Sequence, residues 1–141
     1  MNFYLGKKSL ERLDGVHPDL VRVVKRAITI SKLDFGVTEG LRTVERQKEL
    51  LAAGKSTTMK SMHIPFVSPN DPNDPRNNYS LAVDLYCRDV NGNVTWKHDW
   101  FRWVVQSMFT AAILEGVPIK AGGLWRTFQD SPHFELDLQE Y

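Results

Sequence analysis

The chain has 141 residues, of which 42% are hydrophobic and 25% charged. This is ordinary for a soluble globular protein, and the length suits one domain spanning 1–141. Eighteen Lys and Arg stand against seventeen Asp and Glu, for a formal charge of +1. That balance argues against a nucleic-acid partner, which calls for a basic excess to displace counterions. Cys87 is the single cysteine, which excludes an internal disulfide and an all-cysteine zinc site and fits a reducing compartment. The first twelve residues carry Lys7, Lys8, Glu11 and Arg12 with no long apolar core, so no secretory signal peptide is expected. No stretch approaches the ~20 apolar residues of a membrane anchor.

Three helices are predicted. The first opens at Pro18, with Asp19 in its first turn and Leu20, Val24, Ala27 and Ile28 at helical spacing. The second begins at Thr43, a good N-cap, and runs through Leu50 and Leu51 to Gly54. The third follows Asp99, with Trp100, Trp103, Val104, Met108 and Ala111 on its buried face, and stops at Gly116 and Pro118. Strand signals lie at Phe35–Glu39, Leu81–Tyr86, Val94–Trp96, Ile119–Lys120 and His133–Leu138. Asn91-Gly92 reads as a two-residue hairpin turn between the second and third of these. A small antiparallel sheet with about three helices packed on one side is an α+β architecture.

The segment from His63 to Tyr79, HIPFVSPNDPNDPRNNY, breaks this pattern. It holds Pro65, Pro69, Pro72 and Pro75, four of the seven prolines in the chain. Each removes a backbone donor and drives its predecessor out of helical geometry, so residues 64–79 are expected to form a long extended loop. Loops of this length in compact domains are usually functional or disordered. Its Asp71 and Asp74 read as exposed turn residues, because a calcium site requires six or more oxygens.

Of the four histidines, His17 and His98 precede helix starts and read as exposed residues there. His133 opens a strand behind Asp130-Ser131-Pro132, which places a carboxylate one short turn from an imidazole. Such a pair suits a metal ligand with a nearby proton acceptor, and equally a turn aspartate before a strand. Asp84 lies within Leu81-Ala82-Val83-Asp84-Leu85-Tyr86. A carboxylate there is paired or metal-bound if buried, or faces solvent on an edge strand. By period two, Asp84 and Tyr86 share one face and Cys87 takes the other, which makes Cys87 a small buried hydrophobe. His63, Asp84 and His133 together offer two nitrogens and one oxygen, the three-ligand pattern of catalytic zinc with its open fourth position.

These residues resemble a family. Ser61-Met62-His63, Ala82-Val83-Asp84 and Asp130-Ser131-Pro132-His133-Phe134-Glu135-Leu136 are similar to the signature of the LAS zinc peptidases. That group includes D-alanyl-D-alanine dipeptidases and carboxypeptidases, and the L-alanyl-D-glutamate peptidases that serve as bacteriophage endolysins. The stretches Gly6–Leu10, His17–Leu20, Glu39–Thr43 with Gln47, and Gly123-Leu124-Trp125 resemble it too, most closely the short endolysin type. Two features depart from the pattern. His63 and Asp84 stand twenty-one positions apart where the family usually has seven, and Ser80 replaces a glycine.

The resemblance implies that His63, Asp84 and His133 hold Zn, that Asp130 is the general base, and that Arg42 stabilises the oxyanion. Ser61, Gln47 and Trp125 would support the site or line the substrate cleft. The implied activity is hydrolysis of the L-alanyl-D-glutamate bond in bacterial peptidoglycan, by a monomer made in the host cytoplasm and released to the wall. A D-alanyl-D-alanine peptidase and a non-catalytic zinc-holding binding module are the alternatives. The loop is expected to border the cleft as a flap or selecting rim.

Overall fold

The computed structural model describes residues 2–54, 61–122 and 133–140. Asp130 and Trp125 lie outside the described residues. Among those described are four helices, α1 (Lys7–Arg12), α2 (Pro18–Ile30), α3 (Val44–Ala52) and α4 (His98–Glu115). Five strands accompany them, β1 (Phe35–Glu39), β2 (Ala82–Arg88), β3 (Val94–Thr95), β4 (Ile119–Gly122) and β5 (His133–Leu136). They form one antiparallel sheet in the order β1-β2-β5-β4, with β3 also paired to β2. The architecture is α+β.

The helix boundaries follow from local chemistry. Pro18 occupies the first helical position of α2, and the His17 ring accepts from the Asp19 amide through Nδ1 at 3.1 Å. Thr43 caps α3 by accepting from the Arg46 amide at 3.0 Å. Gly116 ends α4 in the left-handed region at φ 68°, and the Val117 amide reaches back to the Ala112 carbonyl at 2.9 Å. This is the Schellman arrangement, and the positive φ is what selects glycine.

The two faces of the sheet have different tasks. Val83, Leu85 and Cys87 of β2 and Phe134 and Leu136 of β5 are fully buried on one face. That face joins Leu20, Val23, Val24 and Ala27 of α2 and Val104, Met108 and Ala111 of α4 in the core. The opposite face presents Asp84 and Tyr86 of β2 and His133 and Glu135 of β5.

Several details differ from the sequence reading. α1 is an additional helix; its six residues carry no apolar period by which to detect it. It covers the outer edge of β1, where Ser9 Oγ accepts from the Val37 amide at 3.0 Å and Arg12 Nη1 donates to the Val37 carbonyl at 2.9 Å. The β2–β3 hairpin closes around three residues, Val90-Asn91-Gly92, because Asp89 pairs with Asn93 and Gly92 takes a φ of 83°. This is a turn followed by a left-handed glycine, the usual geometry of a three-residue hairpin. Trp100 and Trp103 are only partly buried, and Phe101, Ser107 and Ala112 complete the inner face of α4. His17 is buried rather than exposed, since its ring caps α2 and packs edge-on to Tyr79 at 5.3 Å.

Residues 64–79 form no regular helix or strand, but the loop is tied at its base. The Phe66 amide donates to the Tyr79 carbonyl at 2.9 Å and the Asn78 amide to the Phe66 carbonyl at 2.8 Å. Below them the Leu81 amide donates to the Met62 carbonyl at 2.9 Å. The excursion therefore leaves and returns at one place, which is how a sequence separation of twenty-one becomes a short distance in space. Ser80 fits without a glycine's freedom. Among the described non-glycine residues only Asn78 has a positive φ, and the buried Ser80 hydroxyl donates to the Ala82 carbonyl at 2.9 Å.

Candidate metal centre

Three elements bring the central residues together. His63 follows α3 and the residues after it, Asp84 sits mid-way along β2, and His133 opens β5 directly across from Asp84. Ligand atoms of all three lie within 4.8 Å of one another. The shared point is Asp84 Oδ1, 3.1 Å from His63 Nε2 and 3.0 Å from His133 Nδ1. The two rings stand nearly perpendicular, with centroids 5.0 Å apart.

The histidine tautomers follow from the neighbours. His63 Nδ1 lies 2.8 Å from the Gly40 carbonyl, which can only accept, so this nitrogen carries a proton. In the neutral ring Nε2 then bears a lone pair. It is buried, makes no well-formed hydrogen bond, and points at a carboxylate oxygen 3.1 Å away. A donor pair so placed, with a lone pair facing a carboxylate oxygen, is the arrangement a bound cation would bridge. Two imidazoles and one carboxylate form a donor set suited to zinc, and a ring nitrogen fixed by a backbone carbonyl is the common support for such a ligand.

Gly40 can be nothing larger. A Cβ there would sit 2.2 Å from the Arg12 carbonyl oxygen and 2.7 Å from Val16 Cγ2. The backbone that orients His63 is thus pressed against the α1–α2 connection.

Charge in the cluster is arranged to match. Burial pushes the Asp84 carboxyl up, but His133 and His63 beside it bring it down to about 2. Burial likewise works against a charged His133, yet hydrogen bonds to Asp84 and Glu135 raise its pKa to about 9. Without a metal, His133 is therefore an imidazolium between two carboxylates.

Arg42 borders the cluster as a fixed cation. Its backbone amide donates to the His63 carbonyl at 2.8 Å. Its Nε and Nη2 each donate to Glu39 at 2.7 Å, and Nη1 donates to Gln47 Oε1 at 2.7 Å and Ser61 Oγ at 3.4 Å. The Glu39 carboxylate holds the guanidinium above its ordinary pKa. With its side chain 11% exposed, Arg42 is not a solvated surface ion pair. Gln47 is fully buried, and Ser61 Oγ also accepts from the His63 amide at 3.2 Å, which links the guanidinium to His63.

Glu39 reaches Arg42 because of an irregularity in β1. The register runs Val37↔Leu85 and then Glu39↔Asp84, so Thr38 is the extra residue of a bulge. The bulge moves Glu39 from the core face to the face of Asp84. The sequence reading assigned no role to Glu39, to the Gly40 carbonyl or to Glu135. Glu135 alone had a legible signal, since two residues along a strand from His133 is the same face.

Fold and cluster define an α+β protein in which two sheet residues and His63 beside them form a His-Asp-His group close enough to hold one metal ion, flanked by an anchored arginine. The chain belongs to the phage L-alanyl-D-glutamate peptidase family, which matches residues 1–138. It is 30% identical, over 142 aligned positions, to the L-alanyl-D-glutamate peptidase of Escherichia phage T5, covering all of this chain and 94% of that protein. It is 27% identical over 123 positions to the peptidoglycan L-alanyl-D-glutamate endopeptidase CwlK of Bacillus subtilis strain 168, covering 80% of this chain and 66% of CwlK. The crystal structure of the Serratia marcescens L-Ala D-Glu endopeptidase ChiX superposes with a TM-score of 0.76 at 35% identity, over 98% of this chain and 93% of that one.

Proposed function

We propose that this protein is a zinc-dependent peptidase that hydrolyses the L-alanyl-D-glutamate bond of bacterial peptidoglycan stem peptides. Family membership supports the bond and the substrate. The observation that carries the metal is the buried His63 Nε2, aimed with His133 Nδ1 at one oxygen of Asp84. His63, Asp84 and His133 would hold the ion, which would supply Lewis acidity toward the scissile carbonyl and acidify the attacking water.

The chain's own groups supply the remainder. Arg42, immobilised by Glu39 and Gln47, presents a cation to the oxygen that gains charge as the carbonyl becomes tetrahedral. Because it is already anchored, it needs no reorganisation when that charge develops. Asp130 is the proposed base, taking the proton of the attacking water and returning it to the leaving amine. Trp125 is proposed as a wall of the cleft, and the tied loop 64–79 as its selecting rim. This reading carries with it a monomer that acts on the cell wall after release from the host cytoplasm.

The test is a digest of purified peptidoglycan before and after chelation, with metal content measured and products identified by mass spectrometry. Loss of activity on chelation, recovery with zinc, and new L-alanine carboxyl ends are expected. Release of terminal D-alanine instead would assign the alternative D-alanyl-D-alanine activity. Zinc binding with intact walls would leave a binding module.

A further inference from the structure

We infer that Glu135 is a positioning residue for the metal, holding His133 so that Nδ1 and not Nε2 faces the ion. This rests on the zinc reading above and adds to it a residue outside the three ligands.

The geometry separates the two nitrogens of His133. Nδ1 lies 3.0 Å from the Asp84 oxygen that His63 Nε2 also approaches, so Nδ1 is the nitrogen turned into the cluster. Nε2 points away from it and meets Glu135 Oε1 at 3.0 Å. With Nδ1 turned into the cluster, Nε2–H donates to Glu135, which fixes the tautomer and the plane of the ring. A carboxylate behind a ligating histidine does this in many zinc sites, and its loss typically lowers metal affinity about 10–100-fold.

Strand geometry makes the contact rigid. His133 and Glu135 are alternate residues of β5, so their side chains rise from the same face. Glu135 stands between Ala82 on β2 and Lys120 on β4 in the register, and its side chain is 15% exposed. Its cross-strand neighbour Ala82 is fully buried, and Glu135 lies back along its own strand to His133.

The experiment titrates metal-free protein with Zn(II) against a chelating dye, and with Co(II) read by its visible absorption. Glu135→Ala is expected to weaken metal binding about 10–100-fold and to alter the Co(II) spectrum. Glu135→Gln keeps an acceptor oxygen and is expected to stay within a few-fold of the parent, with the parent's spectrum. If the alanine variant does not fold without metal, as judged by circular dichroism, Glu135→Leu replaces it with a similar volume. Parent-like affinity and an unchanged Co(II) spectrum in the apolar variant overturn the role of Glu135 and leave the zinc reading standing. A parent protein that binds no metal overturns both.

Discussion

Glu39 grips Arg42 through two parallel hydrogen bonds of 2.7 Å, and the bulge at Thr38 just before it turns the glutamate to this face of the sheet. The pair makes the orientation of the guanidinium a property of the backbone. A lysine in its place keeps the charge and loses the fork. Arg42→Lys is therefore expected to lower kcat on peptidoglycan about 100-fold, with zinc content unchanged. Glu39→Gln is expected to fall between the two. Initial rates on purified walls, alongside metal analysis, measure this. A full-rate Arg42→Lys enzyme would remove the arginine from the reaction.

Asp84 joins the two histidines, so its loss is expected to abolish binding rather than slow turnover. Asp84→Asn should show no stoichiometric zinc after gel filtration. The parent should gain thermal stability on zinc addition, by about 4 kcal/mol at a free concentration 1,000 times Kd. Differential scanning calorimetry with and without zinc distinguishes the two proteins. An equal rise in both would mean that the ion binds elsewhere.

Asp130 is expected to separate metal binding from chemistry. Asp130→Ala should retain one zinc and lose about 10²–10⁴ in kcat, the usual contribution of a positioned base. Zinc-loaded Asp130→Ala that still digests walls at the parental rate would assign proton transfer to another group.

Much of this could be read from the chain because local rules govern it. Pro18, Thr43 and Gly116 announce helix ends by chemistry acting within a few residues. β2 runs without interruption from Ala82 to Arg88, so period two correctly sends Asp84 and Cys87 to opposite faces. What escaped depends on distant parts of the chain. The Thr38 bulge is defined by pairing with a strand more than forty residues away, and the burial of His17 depends on Tyr79. The convergence of His63 on Asp84 was permitted by sequence and required by nothing local. It comes from the backbone ties at Met62 and Phe66.

Cys87 offers a prediction about pH. Burial, with Asp34 and Asp89 adding to it, pushes the thiol from its ordinary 9.0 up to about 12. The unfolded chain ionises first as pH rises, so it binds fewer protons than the folded chain above pH 9. The stability that the buried thiol contributes is complete below that value and is lost between pH 9 and 12. Chemical denaturation from pH 8 to 11 should show a shallower decline in Cys87→Ala than in the parent. The folded parent should also resist thiol reagents at pH 8. Rapid labelling of native protein would contradict this burial.

The loop offers another. Replacing residues 67–77 with a short glycine-containing link leaves the Phe66–Tyr79 tie in place. Zinc affinity is expected to change by less than a few-fold, while kcat/KM on walls falls and the preference among stem peptides shifts. Unaltered rate and preference would make the segment a passive insertion.

The knot of backbone contacts at Met62, Phe66, Tyr79 and Leu81 works as a splice junction. What is carried beyond it is expected to tolerate changes of length and sequence while His63 and Asp84 keep their station. Variation in this one segment is then expected to leave the relation between His63 and Asp84 as it is. For the engineer, it marks the place where a foreign recognition peptide can be grafted beside a working centre.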